Sequence, residues 1–170
     1  MSEVSTSSDG VREWDDIARA ASDRGDSAES FDEIHQLLCF ELAGAPYAVP
    51  VERVREIVRM RPVTPIPRTP EVVRGVISLG GEMIELIDLR HRLGFGLIEP
   101  SRRTRIIVIK TDDDEVVGLL VDAVREVLRV SDEAIQPATG SDTGVVKDLC
   151  AFGDEFVSII ELDRLLVLDA

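Results

Sequence analysis

Tyr47-Ala-Val-Pro-Val-Glu-Arg-Val-Arg-Glu-Ile57 and Val117-Gly-Leu-Leu-Val-Asp-Ala-Val-Arg-Glu-Val127 are two versions of one phrase. At an offset of 70, Tyr47–Pro67 lies on Val117–Pro137 without a gap. Val51/Val121, Val54/Val124, Arg55/Arg125, Glu56/Glu126, Arg59/Arg129 and Pro67/Pro137 are identical. At an offset of 73, Val72–Leu93 lies on Val145–Leu166, and Val72/Val145, Val73/Val146, Gly80/Gly153, Glu82/Glu155, Ile87/Ile160, Leu89/Leu162 and Leu93/Leu166 agree. The chain is therefore a two-copy duplication. It is not a solenoid, which needs three or more repeats to bury a continuous core.

Working outward from the repeat, Gln36–Leu42 and Tyr47–Val49 read as strands around a Gly44-Ala45-Pro46 turn. Val51–Val58 is ambiguous, with helical apolar spacing but β-branched content. Pro62, Pro65 and Pro67 forbid regular structure through 62–67. Thr69-Pro70-Glu71 carries the signals of a short helix start. Val76–Leu79 and Met83–Ile87 flank Gly80-Gly81, a pair suited to a tight hairpin turn. Asp88–Gly94 can cap and run one or two helical turns. Arg105–Lys110 and Val116–Val121 are strands around the polar turn Asp112-Asp113-Asp114. Each copy, about five strands in roughly 65 residues, is too small to bury a large core alone. Two copies sharing an apolar seam, as two small closed β-barrels, satisfy that constraint. The expected ranges are 46–100 for the first barrel and 105–166 for the second, within a folded body of 34–170, with strand exchange between them allowed.

Composition narrows the function. A net charge of −14 in 170 residues disfavours nucleic acid and anionic membrane, which need clustered Lys and Arg. Residues 1–33 hold ten acidic and three basic side chains and read as a disordered acidic leader. Within it, Val11, Trp14, Ile17 and Ala18 could form one face of a docking helix. No apolar run reaches the length of a membrane span, and no secretory h-region is visible. Cys39 and Cys150 lie inside apolar runs and read as buried small hydrophobes in a reducing compartment, which places the protein in the cytoplasm.

Catalytic chemistry finds little to use. Glu85, Asp88 and His91 are spaced by threes, but they pass from a strand into the next turn and so share no face. The second copy replaces them with Ser158, Glu161 and Arg164. A helix-capping Asp88 and a solvated His91 are expected instead, with His35 at the start of a strand. Asp112-Asp113-Asp114-Glu115 lacks the spacing of a calcium loop, and neither cysteine has a ligand partner at zinc spacing. Phosphate-binding glycine motifs and a nucleophile elbow are absent. The reading is a protein with no enzyme activity, no cofactor and no metal. What remains is surface: Val54, Glu56, Ile57, Val124 and Glu126 occupy equivalent parts of the two copies, where a groove rimmed by charge could seat a partner helix.

Val73-Arg-Gly-Val-Ile-Ser-Leu-Gly-Gly-Glu-Met-Ile-Glu-Leu-Ile-Asp-Leu-Arg90 is similar to the central signature of the CheW family, the coupling proteins of bacterial chemotaxis. Tyr47–Ile57 resembles that family's upstream strand and turn, and Val117–Leu128 the opening of its second half. The resemblance covers about 34–168 and implies an all-β fold with short helices, built as two interlocked five-stranded SH3-like barrels. It implies a non-catalytic adaptor that binds the regulatory domain of a CheA-type histidine kinase and the helical cytoplasmic tip of chemoreceptors. Carried over by position, the receptor groove would include Val54, Glu56, Ile57, Ile106, Ile107 and Val124, and the kinase surface Ser78, Gly80 and Gly81. Relatives commonly read Asn-Leu-Arg-Gly where this chain has Ser78-Leu79-Gly80-Gly81. The missing arginine is the expected partner of Glu56, so the resemblance also admits an accessory regulator or competitor in a non-chemotaxis chemosensory pathway. The acidic leader is an addition, and the C-terminal helix of many members is not seen before Ala170.

Overall fold

The computed structural model describes residues 33–139 and 144–167; the leader with its Trp14 face lies outside them. Among the described residues there are eleven strands: β1 (Ile34–Leu42), β2 (Ala45–Pro50), β3 (Val54–Arg59), β4 (Val73–Leu79), β5 (Glu82–Asp88), β6 (Arg105–Lys110), β7 (Val116–Val121), β8 (Ala123–Ser131), β9 (Ile135–Pro137), β10 (Val146–Phe152) and β11 (Glu155–Ile160). Two one-turn helices, α1 (Leu89–Arg92) and α2 (Leu162–Leu165), follow the two hairpins. The ambiguous segment resolves by halves: Val51–Arg53 is a single 3-10 turn, and its β-branched remainder is β3.

The strands form a six-stranded sheet ordered β8-β1-β2-β11-β10-β9 and a five-stranded sheet ordered β3-β6-β7-β5-β4. β1 and β2 thus pair among second-copy strands, while β6 and β7 pair among first-copy strands. Relative to the barrel ranges read from the sequence, residues 45–50 sit in the second-copy sheet and residues 105–121 in the first-copy sheet. The exchanges are made by the antiparallel ladders β1–β8 and β3–β6 and by parallel contacts, Tyr47 with Ser158 and Glu85 with Val117, which a hairpin cannot supply.

Each sheet curls back on itself. β8 and β9 stand at opposite ends of the larger sheet, yet only the 3-10 turn Asp132–Ala134 separates them in the chain. In the smaller sheet the same closure is reduced to one bridge between Thr64 and Val76 of β4. Its two hydrogen bonds are both 2.9 Å. The flanking prolines explain the difference, since Pro62, Pro65 and Pro67 bring no N–H to a longer ladder. The helix expected at Thr69-Pro70-Glu71 does not form. The Val73 amide donates to the Pro70 carbonyl in a tight turn and β4 begins at once, leaving too few residues to nucleate a helix.

Burial follows the pleat. Leu37, Cys39, Leu128, Val130, Cys150 and Val157 fill the six-stranded barrel. Ile77, Ile84, Leu86, Ile106, Val108 and Leu120 fill the five-stranded one. The alternate residues of the same strands, among them Leu38, Phe40, Ile107, Ile109, Leu119 and Val121, meet in a third and larger core between the sheets. β1, β6 and β7 are therefore apolar on both faces and read as continuous runs rather than alternating ones. Cys39 and Cys150 are free thiols in one barrel core, and burial pushes the Cys39 thiol up to about 11.

Candidate functional site

The candidate groove starts from equivalent positions on β3 and β8. Val54 stands opposite Ile109, and Val124 opposite Phe40. Both partners belong to the core between the sheets, and both valines are half-buried against it. One residue beyond, each strand bulges: Arg55 is extra in β3 relative to β6, and the ladder of β8 slips between Val124 and Val127. A bulge re-aims side chains, and here it turns Arg55 and Arg125 toward the two hairpin tips. Arg55 lies 3.3 Å from Glu82 and Arg125 lies 3.4 Å from Glu155, so the duplication extends to the ion pairs that tie each hairpin to its strand. Beyond the bulges, Ile57 and Val127 are exposed at 40 % and 52 %. Val127 is thus the exposed counterpart of Ile57 at the offset of 70, a position absent from the expected groove.

Glu56 is exposed, and its side chain has no ion pair or hydrogen bond among the described residues. By the family resemblance, the counter-charge expected for Glu56 would stand on the β4–β5 hairpin. There Gly80 and Gly81 both take positive φ, +58° and +86°, as a tight two-residue turn requires. Open space surrounds the position of a β-carbon on either glycine. Ser78, Gly80 and Gly81 all lie at the exposed tip of this hairpin. Ile106 and Ile107 do not belong to any surface: both are fully buried, Ile106 in the five-stranded barrel and Ile107 in the core between sheets. The continuous apolar run Ile106–Ile109 was the sign of a strand covered on both faces, and this corrects their expected place in the groove.

Of the residues weighed for metal chemistry, Asp88 and His91 are otherwise engaged. Asp88 is fully buried and caps α1, accepting from the His91 amide at 3.0 Å. Its other oxygen accepts from the Ile98 amide at 2.9 Å and from Arg74 at 2.7 Å. His91 is half-buried, with Nε2 3.3 Å from Glu71, and His35 Nε2 lies 2.8 Å from Asp132. The second copy repeats the Arg74–Asp88 pair in looser form, as Lys147–Glu161 at 3.8 Å. Glu41 joins the seam to the second hairpin: it accepts from Arg125 at 3.0 Å and from Arg103 at 3.3 Å. The Arg125 hydrogen bond chiefly holds its carboxyl below the ordinary value.

This architecture has close counterparts. The CheW-like domain family matches residues 36–169. The chain belongs to that family. It is 36 % identical over 132 residues to the chemotaxis protein CheW of Rhizobium meliloti, covering 75 % of this chain and 84 % of that protein. It is 30 % identical to protein FrzA of Myxococcus xanthus, covering 86 % and 93 %. The crystal structure of the scaffolding protein TtCheW from Thermoanaerobacter tengcongensis superposes with a TM-score of 0.75 at 34 % identity, covering 81 % of this chain and 95 % of that one. CheW-like proteins are non-catalytic scaffolds that couple receptors and kinase in chemotaxis, and this member is an adaptor of chemosensory signalling. Among the described residues, no helix is long and apolar enough to cross a membrane.

Proposed function

We propose that this adaptor joins the helical tip of a chemoreceptor to the regulatory domain of a CheA-type histidine kinase without catalysing a reaction itself. The receptor helix lies along Val54, Glu56, Ile57 and Val124, and the kinase domain meets the hairpin tip at Ser78, Gly80 and Gly81. The observation that carries the receptor assignment is the packing of Val54 and Val124 on one shared core, with Ile57 exposed beyond the bulge. An aliphatic strip of this kind suits the apolar face of an amphipathic helix.

The test measures binding of a receptor-tip fragment and of a kinase regulatory domain to the wild type, Val124→Glu and Glu56→Arg. A desolvated charge at position 124 costs about 2 kcal/mol or more, so receptor affinity falls at least about tenfold while kinase affinity holds. Glu56→Arg is fully surface-borne and checks the same groove without disturbing the core. Equal loss of both partners, or of neither, refutes the placement. The lack of a side-chain partner for Glu56 among the described residues, together with glycines at the Gly80-Gly81 turn, favours a second reading, a competitor that occupies one partner without coupling the two. Added to a reconstituted receptor–kinase mixture, a coupler raises receptor-controlled kinase flux and a competitor lowers it.

A further inference from the structure

An open cleft of about 490 Å³ lies where the end of β3 meets the segment entering β6. Its lining includes Arg59, Met60, Arg102, Arg103 and Arg105, four guanidinium groups on a chain of net charge −14. Arg59 and Arg105 are direct partners in the β3–β6 ladder, which fixes two of the four on rigid backbone. Two of the heads are committed. Arg105 donates to the Arg102 and Thr104 carbonyls, each at 2.8 Å, and Arg103 lies 3.3 Å from Glu41. The side chains of Arg59 and Arg102 have neither an ion pair nor a hydrogen bond among the described residues. Among the described residues only Arg103 of the four has a carboxylate partner, so the crowded guanidinium groups repel one another.

The fold does not require this cluster. Val54 opposite Ile109 and Val124 opposite Phe40 set the two copies at an offset of 69 here. Ser101-Arg-Arg-Thr-Arg105 then corresponds to Asp32-Glu-Ile-His-Gln36, which has no arginine. The cleft's arginine loop is thus particular to one copy.

We propose that the cleft receives a short carboxylate-rich segment of a partner protein, with Arg59 and Arg102 as its free anchors. Forked guanidinium donors fit carboxylates in paired geometry. A phosphate cradle is disfavoured because the loop's amides are used internally. Ser101 N donates to Thr104 Oγ1 at 2.8 Å, Arg103 N to Ser101 Oγ at 3.1 Å, and Thr104 N to the Ser101 carbonyl at 3.2 Å. That leaves no nest of backbone donors of the kind phosphates use. A long nucleic acid would meet the negative field of the rest of the molecule, whereas a short acidic segment meets only the cleft.

Calorimetric titration of the full chain at low salt tests this, using an end-capped oligoglutamate peptide, an oligoglutamine peptide of the same length, inorganic phosphate and a short single-stranded oligonucleotide. Oligoglutamate binds and the other three do not. Arg59→Glu with Arg102→Glu weakens oligoglutamate about tenfold or more, as loss of charge-assisted hydrogen bonds demands. Arg68→Glu, an exposed arginine outside the cleft, leaves binding unchanged. If the double reversal fails to fold, Arg59→Ala with Arg102→Ala carries the same comparison. An equal loss in Arg68→Glu, no loss in the double variant, or binding of phosphate or the oligonucleotide as tight as that of oligoglutamate overturns the proposal.

Discussion

Replacing Gly75 by alanine should open the five-stranded barrel. Gly75 has φ +138°, a conformation that side-chain-bearing residues rarely adopt. A β-carbon there would overlap the Thr64 carbonyl oxygen, and it would lie 2.7 Å from the Thr64 carbonyl carbon and 2.9 Å from Pro65 Cα. These are backbone atoms and cannot rotate away. That oxygen accepts from the Val76 amide in the one bridge that closes the sheet. Backbone strain of about 1–3 kcal/mol adds to the loss of two hydrogen bonds at about 1 kcal/mol each. The expected destabilisation is about 3–5 kcal/mol, a large part of the stability of a domain this size. Urea unfolding should show a lower midpoint with little change in slope, and hydrogen exchange at the Thr64 and Val76 amides should accelerate ahead of the rest. Gly80→Ala is the control: φ is +58° but the surrounding space is empty, so only the left-handed backbone cost of about 1 kcal/mol applies. Equal effects of the two substitutions, or less than about 1 kcal/mol at Gly75, would refute the closure argument.

The repeated ion pairs should differ in weight. Asp88→Ala strands Arg74 and two amides around a fully buried site and should cost about 3 kcal/mol or more. Glu161→Ala removes a longer, more exposed pair and should cost less than about 1 kcal/mol; equal midpoints in denaturant would contradict this. Acid should weaken the molecule through Glu41. Its carboxyl is held below its ordinary value, so its contribution is complete above the unfolded-state pKa near 4.5 and disappears as pH falls through the lower folded value. Glu41→Gln should therefore be less stable than the wild type at neutral pH, with the gap closing below about pH 4. A gap that persists in acid would sink the assignment.

What could be read from the sequence was local or repeated. Arg105–Lys110 and Val116–Val121 are strands over those same residues, because dense β-branched content flanks a polar aspartate turn. Asp88 caps a helix because an aspartate before a short run ending in glycine leaves the chain few alternatives. The duplication identified equivalent residues, but not which copy they would pair with. The parallel contacts β2–β11 and β5–β7 depend on closure of the shared core, and no local pattern encodes that. The same gap hid the ion pairs. Arg55/Arg125 and Glu82/Glu155 were visible as identities, yet their meeting depends on bulges in β3 and β8. Thr69-Pro70-Glu71 failed for the opposite reason: its helix signals were sound, but Gly75 had to take its place in β4 against Thr64 within a few residues.

The strand exchange bears directly on adaptor function. Each barrel takes two strands from the opposite copy, so neither copy can close its own barrel. The core between the sheets collects side chains from both, and Val54 and Val124 rest on that same core from opposite copies. The first hairpin, at Gly80, is fixed to β3 by Arg55–Glu82 and closed onto the barrel by Thr64–Val76. A scaffold that holds two partners in a set relation needs surfaces that cannot drift independently. Two ordinary barrels joined by a linker would leave that relation to the linker, at the cost of an interface that could open. Exchanged strands replace the linker with backbone hydrogen bonds and a continuous apolar core, so separating the two surfaces requires unfolding the domain.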